Sequence, residues 1–204
     1  MTTYVAKEAE LRAVVGHPVQ RVADKVRPRL EALHVEWLEA ARFCVLSTSG
    51  ADGRCDASPK GDPAGFVRVL DDRTLALPER PGNRRVDGYL NVLANPHVGL
   101  VFVIPGRSDT LRVNGSARVV SDAAYFDDLV VKGHRPVLAL EVTVEEVFFH
   151  CAKAFLRSEL WEPETWEPDA VPSRARIAHT LERPDEPIEE LERYYGPSYR
   201  DGLY

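Results

Sequence analysis

The sequence predicts a mainly β fold with flanking helices, built as a closed or partly closed antiparallel barrel. From Phe43 onward, apolar and polar residues alternate in short segments that end at tight turns, which is the period of β-strands. At least six such segments occur along the chain. Strands and helices do not alternate regularly, so a doubly wound parallel sheet is not expected.

The first forty residues have the period of helices rather than strands. Leu11, Val14 and Val15 recur at helical spacing before Gly16. A second apolar stripe consists of Leu30, Leu33, Trp37, Leu38 and Ala41. We therefore expect a helical N-terminal extension over residues 1–41, followed by the barrel domain over residues 42–160.

The barrel segments follow in a simple order. FCVLSTS, RCDASPK, GFVRVL and TLALPE are predicted strands, separated by turns such as GADG and DDR. A helix is predicted in GNRRVDGYLNVLANP, where Asn83 can cap the start and one face carries Val86, Tyr89, Leu90 and Leu93. Strands resume in VGLVFVI, TLRVNGSARVV and PVLALEVTVEEVFFH, with one further helix at DAAYFDDLVV.

The tail over residues 161–204 is predicted to be a loop-rich extension with one or two short helices. It carries many of the prolines and the near-repeat WEPETWEP. A mobile acidic tail is one interpretation. Its tryptophans and tyrosines favour docking on the barrel or on a partner subunit.

Composition excludes several classes of function. The formal net charge of -6 disfavours nucleic-acid binding, which depends on a surplus of Lys and Arg. The chain has three cysteines and no CxxC pair, which argues against a disulfide framework. We therefore expect a reducing, cytoplasmic location. A signal peptide, a membrane-spanning run, a zinc motif and a phosphate-binding GxGxxG or P-loop are all missing from the sequence.

The segment Gly82-Asn83-Arg84-Arg85 places two positive charges at a predicted helix start, where they oppose the helix dipole. A bound phosphate would resolve this conflict through backbone amides and the guanidinium groups. The alternative is a solvated basic turn whose positive charge is neutralised by Glu79 and Asp87. Charge pattern alone leaves both interpretations open.

Two strands and one helix carry further polar patterns. Arg54, Asp56, Ser58 and Lys60 share one face of RCDASPK, and Thr110, Arg112, Asn114, Ser116 and Arg118 share one face of TLRVNGSAR. Each face is a candidate ligand site or an ordinary solvent-exposed face. Lys153 and Arg157 lie four residues apart, either as a second anion-binding element or as surface charges.

The run from FCVLSTS to TLRVNGSARV resembles the FMN-binding split β-barrels related to pyridoxamine 5′-phosphate oxidase. Within that family it is most similar to an actinobacterial-type branch marked by SPKGDPAGF, PGNRR and TLRVNG. The resemblance is strong over residues 40–120, and HCAKAFLRSELW extends it. The RLxP signature of the oxidase itself does not occur, so oxidation of pyridoxamine 5′-phosphate is not implied.

The resemblance implies where FMN binds. Asn83, Arg84 and Arg85 occupy the place of the family's phosphate-binding Ser-Arg-Lys run, and Lys60 matches the lysine that ends the strand beside the flavin. The other implied contacts are Asp56, Ala57, Ser58, Leu77, Pro78 and Thr110. We expect Arg112, Lys153 and Arg157 to be additional cofactor contacts, and a homodimer in which some of these residues serve the partner's FMN.

The implied activity is that of an FMN-dependent oxidoreductase acting on a small molecule, whose identity the sequence does not give. Lys60 is the best candidate for tuning the flavin, with Arg112 and Lys153 as others. Two alternatives remain. The protein is either a flavin-binding carrier or sensor without turnover, or a split barrel that binds a deazaflavin or haem in the same cleft.

Overall fold

The computed structural model describes residues 1–204 and contains one seven-stranded antiparallel sheet with flanking helices. Neighbouring strands pair in the order β2-β1-β5-β6-β7-β4-β3. The strands are β1 (Phe43–Ser49), β2 (Cys55–Gly61), β3 (Arg68–Val69), β4 (Thr74–Glu79), β5 (His97–Val103), β6 (Thr110–Val120) and β7 (Leu138–His150). All six pairings are antiparallel, which confirms the predicted fold class.

Seven α-helices and four 3-10 helices surround the sheet. The α-helices are α1 (Glu8–Val15), α2 (Gln20–Ala23), α3 (Ala32–Ala40), α4 (Asp87–Ala94), α5 (Lys153–Arg157), α6 (Arg174–Leu181) and α7 (Ile188–Tyr194). The 3-10 helices are Ala124–Leu129, Pro163–Thr165, Pro168–Ala170 and Pro197–Gly202. None of the helices has both the length and the apolar character needed to cross a membrane.

The sheet curls so that strands near its two edges meet through side chains. Lys60 of β2 contacts Glu79 of β4, with 2.5 Å between Nζ and Oε2. Just beyond these strands, Arg80 Nε donates to Asp62 Oδ2 at 2.6 Å, and both side chains are largely buried. This partial closure by side chains rather than by a backbone ladder is the geometry of a split barrel.

One main hydrophobic core fills the barrel. It contains the inward residues of the strands, including the fully buried Phe102 and Leu140, and it also takes in Leu30, Trp37 and Leu38 around α3. Burial alternates along β1, β5 and β6, as the period of two predicts. By contrast, α1 and α2 bury no residue.

Three expectations about local structure need correction. Leu33 was predicted to share the buried stripe of the second helix, but 67% of it is exposed because it lies on the solvent side of α3. GFVRVL forms only the two-residue strand β3, since Phe66 and Val67 point into the core without ladder pairing. Helix α4 begins at Asp87, so Asn83 does not cap it.

The tail contacts the barrel at two places. Near its start, Trp161 Nε1 donates to the backbone oxygen of Arg107 at 2.7 Å. At its end, Tyr204 donates its hydroxyl hydrogen to Asp62 Oδ1 at 2.5 Å. Between these contacts, α6 and α7 pack on each other around a small core of Ala175, Ala178 and Leu191. The tail thus combines two anchoring aromatic residues with a helical hairpin.

Candidate functional site

A cavity of about 700 Å³ opens where β2, the segment after β4 and the first residues of β7 come together. Its walls come from residues 56 and 58–60 on β2, from the continuous segment 79–89, and from residues 137 and 138. Most of these residues are polar. A volume of this size lies within the range of small-molecule and cofactor pockets.

The polar face of β2 forms one wall of the cavity. Asp56, Ser58 and Lys60 are half-buried and line it, whereas Ala57 is exposed on the opposite face of the strand. Arg54 precedes the strand and is solvated beside Asp52. The alternation predicted for RCDASPK therefore turns a row of polar side chains toward the segment that carries Arg84 and Arg85.

The segment before α4 forms the opposite wall and has an unusual backbone. Arg84 and Val86 have φ values of 63° and 49°, in the left-handed region that a β-branched residue such as Val seldom adopts. Asn83 Oδ1 accepts a hydrogen bond from the backbone N–H of Arg85 at 3.0 Å and so holds the turn. Strained conformations of this kind concentrate at ligand-binding sites.

The two arginines differ in their electrostatic surroundings. Arg85 Nε lies 2.7 Å from Asp87 Oδ2, and this hydrogen bond is the main cause that raises the pKa of Arg85. Arg84 has neither an ion pair nor a side-chain hydrogen bond and faces the cavity. Glu79 and Asp87 were the two acids considered as neutralising the charge of Arg84 and Arg85. Only Asp87 does so, by pairing with Arg85, whereas Glu79 pairs with Lys60.

Lys60, Glu79 and Tyr89 form a hydrogen-bonded group at the base of the cavity. Glu79 Oε2 accepts from both Lys60 Nζ at 2.5 Å and the Tyr89 hydroxyl at 2.9 Å. The Lys60 ammonium also lies 5.2 Å from the centroid of the Tyr89 ring. Burial first, and then the charge of Glu79, raise the pKa of Tyr89 far above its ordinary value.

This pKa shift predicts a specific loss of stability at alkaline pH. The unfolded chain releases the Tyr89 proton near pH 10, whereas the folded protein keeps it, so the free energy of unfolding falls as pH rises above about 10. One such group contributes about 1.4 kcal/mol per pH unit. Urea unfolding between about pH 9 and 11.5 should show a shallower decline for Tyr89→Phe. The matched variant Tyr4→Phe, at an exposed tyrosine, should keep the wild-type slope; equal slopes in all three proteins would contradict the assignment.

The cavity brings together six of the side chains singled out by sequence: Asp56, Ser58, Lys60, Asn83, Arg84 and Arg85. The others do not line it in this chain. Leu77 and Pro78 are buried within β4, and Thr110 is buried at the start of β6. Lys153 and Arg157 are exposed on α5, and Arg112 packs on Phe148, with its Cζ 5.0 Å from the ring centroid. The polar face of β2 thus lies close to the turn that carries Arg84 and Arg85, and the polar face of β6 does not.

Sequence reasoning missed the roles of Glu79, Arg80 and Tyr89 at this site. Tyr89 was assigned to an apolar helical face, and only its hydroxyl reaches Glu79. The one local signal for these roles was the charged pair Glu79-Arg80, which follows the apolar residues of TLALPE and precedes Pro81 and Gly82. Both of its members form partly buried ion pairs across the barrel, Glu79 with Lys60 and Arg80 with Asp62.

The fold and the cavity define a split-barrel protein with a ligand-sized polar site between its sheet edges. The family model described as pyridoxamine 5′-phosphate oxidase matches residues 30–151, which is more than half of the chain. The chain belongs to the pyridoxamine 5′-phosphate oxidase-like family. The matched range includes α3 and the whole barrel, and so extends beyond the residues on which the resemblance was strongest.

Solved structures with a similar backbone fold have low sequence identity to this protein. HupZ from Group A Streptococcus is 19% identical over 59% of this chain and 93% of its own, with a TM-score of 0.47. A protein related to general stress protein 26, from Clostridium acetobutylicum, is 19% identical (56% and 83% covered; TM-score 0.42). The FAD binding protein from Mycobacterium smegmatis is 17% identical (61% and 97% covered; TM-score 0.41). No curated protein matches the chain.

Proposed function

We propose that this protein is an FMN-dependent oxidoreductase whose cofactor occupies the cavity between β2 and the segment 79–89. The observation that carries the proposal is the convergence of Arg84, which has no acidic partner, with the polar face of β2 around one cavity. Membership of the pyridoxamine 5′-phosphate oxidase-like family supports a flavin as the ligand. The flavin-binding name of the Mycobacterium smegmatis neighbour is in keeping with this choice.

The residues of the cavity fit FMN in both size and chemistry. A cavity of about 700 Å³ is large enough for a cofactor of this class. Arg84, Arg85 and the open backbone turn would hold the phosphate, since guanidinium groups and unpaired amides are its preferred partners. Asp56 and Ser58 would accept hydrogen bonds from the hydroxyl groups of the ribityl chain.

Bound FMN would supply hydride transfer with a small-molecule substrate, and the chain's own residues would set the conditions for it. The Lys60 ammonium lies at the cavity wall, where it would stabilise negative charge on a bound, reduced flavin. Glu79 and Tyr89 fix the position of this ammonium through their shared hydrogen bonds. The left-handed turn at Arg84 and Val86 keeps the phosphate-binding groups in place before the ligand arrives.

Lys60 offers a direct test of this electrostatic role. We expect Lys60→Ala to lower the reduction potential of bound FMN by about 30 mV, the two-electron equivalent of one charge-assisted contact. Lys60→Arg keeps the charge and should restore most of the potential. Spectroelectrochemical titration measures both variants. A Lys60→Ala protein with unchanged FMN affinity and potential would remove Lys60 from this role.

The function itself is tested by the absorption spectrum of purified protein, followed by addition of FMN and then of NADH or NADPH under anaerobic conditions. Binding of FMN and bleaching of the bound flavin by a reductant would support an oxidoreductase. Binding without reduction by any donor would instead favour a carrier or sensor. A protein that ignores FMN but takes up a deazaflavin or haem would contradict the proposal.

We also propose that the protein is a homodimer in which the two copies cover the exposed face of α4. Val86, Leu90 and Leu93 follow one another at helical spacing and are 39%, 57% and 73% exposed. Helix α4 directly follows the turn at Arg84 and Arg85, so a second copy seated here would bring exposed groups such as Lys153 and Arg157 to the cavity. Sedimentation at micromolar concentration should show a dimer, and Leu90→Glu combined with Leu93→Glu should yield a monomer. A wild-type monomer would contradict the arrangement.

A further inference from the structure

The side chain of Tyr204 lies in a charged socket on the barrel, beside the wall of the cavity. Its hydroxyl donates to Asp62 Oδ1 at 2.5 Å, and its ring stacks on His134 with 5.9 Å between the two ring centroids. Lys132 Nζ and Arg80 Cζ lie 5.4 Å and 5.8 Å from the centroid of the same ring, at cation–π distances. We refer to Asp62, Arg80, Lys132 and His134 as the Tyr204 socket.

The Tyr204 socket is assembled from three separate segments of the chain. Asp62 directly follows β2, Arg80 directly follows β4, and the other two residues, Lys132 and His134, belong to the turn before β7. In the sheet β2 pairs only with β1, so no strand pairing connects Asp62 with the other two segments. The contacts of Tyr204 therefore add to a junction that depends on side chains.

Arg80 connects the socket to the cavity. Its Nε donates to Asp62 Oδ2 at 2.6 Å. Its Nη1 and Nη2 donate to the backbone oxygens of His134 and Leu129, at 3.1 Å and 2.7 Å. Arg80 also lines the cavity, together with the residues that directly follow it. Its position in the socket therefore sets where this wall of the cavity begins.

The wall of the cavity over residues 80–85 has few other anchors. Residues 81–85 form no backbone–backbone hydrogen bond and belong to no helix or strand. The hydrogen bond from the backbone N–H of Arg85 to Asn83 Oδ1 stays within the segment itself. Segments with few buried contacts and few backbone hydrogen bonds open at a low cost in free energy. The contacts of Arg80 are therefore the main attachment of this wall to the barrel at its N-terminal end.

Tyr204 strengthens the contacts of Arg80 by covering them. Only 3% of the Asp62 side chain and 12% of the Arg80 side chain are exposed. An ion pair that is kept from water is screened less than an exposed one. Removal of the Tyr204 ring would admit water to the pair and would leave Asp62 Oδ1 without its donor. The hydrogen bond to Asp62 is also the main cause that raises the pKa of Tyr204, so the hydroxyl keeps its proton and donates it.

We propose that residues 197–204 form a strap, which holds the wall of the cavity in its ligand-binding conformation through the contacts of Tyr204 with Asp62 and Arg80. Tyr204 and Asp62 are positioning residues, since they act through Arg80 and do not line the cavity. A ligand that binds the held wall must in turn favour docking of the strap by the same factor, because coupling between two sites is reciprocal. That ligand is FMN if the proposed function is correct, and this part of the inference rests on it.

Limited digestion with trypsin, without FMN, tests whether the strap holds the wall. Cleavage after Arg84 and Arg85 requires the wall to open, and mass spectrometry measures the rate at each site. Tyr204→Ala should raise these rates about tenfold, since one charge-assisted hydrogen bond no longer opposes the opening. Cleavage after Arg54, in the turn between β1 and β2, is an internal reference and should not change. A folded Tyr204→Ala protein with wild-type rates after Arg84 and Arg85 would overturn the proposal.

A matched variant separates the strap from a general loss of stability. Tyr125 donates to Glu141 Oε1 at 3.0 Å, and Arg118 donates to the other oxygen of this carboxylate at 2.7 Å. This is the same tyrosine, carboxylate and arginine arrangement, formed by residues that do not line the cavity. Tyr204→Phe and Tyr125→Phe each remove one such hydrogen bond and keep the ring. Only Tyr204→Phe should speed cleavage of the wall, and equal increases in the two variants would overturn the proposal.

FMN is added in a final step, and Tyr204→Ala should weaken its binding about tenfold. In the wild type, saturating FMN should slow cleavage after Arg200 by about the same factor. Arg200 lies in the strap and does not line the cavity, so FMN does not shield it directly. FMN that binds both proteins equally and leaves cleavage after Arg200 unchanged would overturn the coupling. A protein that does not bind FMN would contradict the proposed function alone, because digestion without FMN still decides whether the strap holds the wall.

Discussion

Replacement of Arg84 and Arg85 by alanine is expected to weaken FMN binding by up to about 100-fold, the largest effect on ligand binding that the cavity predicts. Each guanidinium group would contribute one charge-assisted contact to the phosphate, and each such contact is worth about tenfold in affinity. Arg84 is free of acidic partners, so the whole of its contact is available to the ligand. Arg85 must share its charge with Asp87.

Fluorescence quenching of FMN by the protein gives the two dissociation constants directly. The control is Arg54→Ala, which removes an exposed arginine close to β2 that does not line the cavity. Its affinity for FMN should equal that of the wild type. Circular dichroism establishes that the double variant is folded. A folded double variant that binds FMN as tightly as Arg54→Ala would show that the phosphate binds elsewhere.

Gly115→Ala is expected to lower the free energy of unfolding by about 3 kcal/mol or more, the largest effect on stability in the sheet. Gly115 lies at the irregularity in the pairing of β6 with β7. A Cβ atom there would come within 1.9 Å of the backbone oxygen of Thr143, and backbone in the middle of a sheet has little room to move. The substitution therefore forces the two longest strands apart.

The matched control is Gly99→Ala on the adjacent strand β5. Its Cβ atom would meet the side-chain oxygen of Asn114 at 3.4 Å, an ordinary contact with a group that can move. Urea unfolding followed by circular dichroism should show a small change for this variant and a large one for Gly115→Ala. Similar unfolding midpoints for the two variants would refute the steric explanation.

The strands of this protein were predictable because each has a clear period of two. In β6, burial alternates from Leu111 to Ala117 on the face that the sequence indicated. The start of α4 was not predictable, because Val86 adopts a left-handed conformation that its residue type disfavours. The helix therefore starts four residues after Asn83, the residue with the strongest capping signal.

The site was half predictable for a similar physical reason. The alternation on β2 and the charge conflict at Arg84 are local signals, and both led to the cavity. The contact of Lys60 with Glu79 joins residues on strands that are not neighbours in the sheet, so local sequence does not show it.

Lys60 and Glu79 each have two structural roles. The same two side chains form a wall of the cavity and join β2 to β4 across the opening of the barrel. A single substitution that removes the charge at position 60 or 79 therefore alters both the selectivity of the cavity and the closure of the barrel. Redesign of this pocket for another ligand would therefore need simultaneous substitutions at both positions, so that the two new side chains still bind each other.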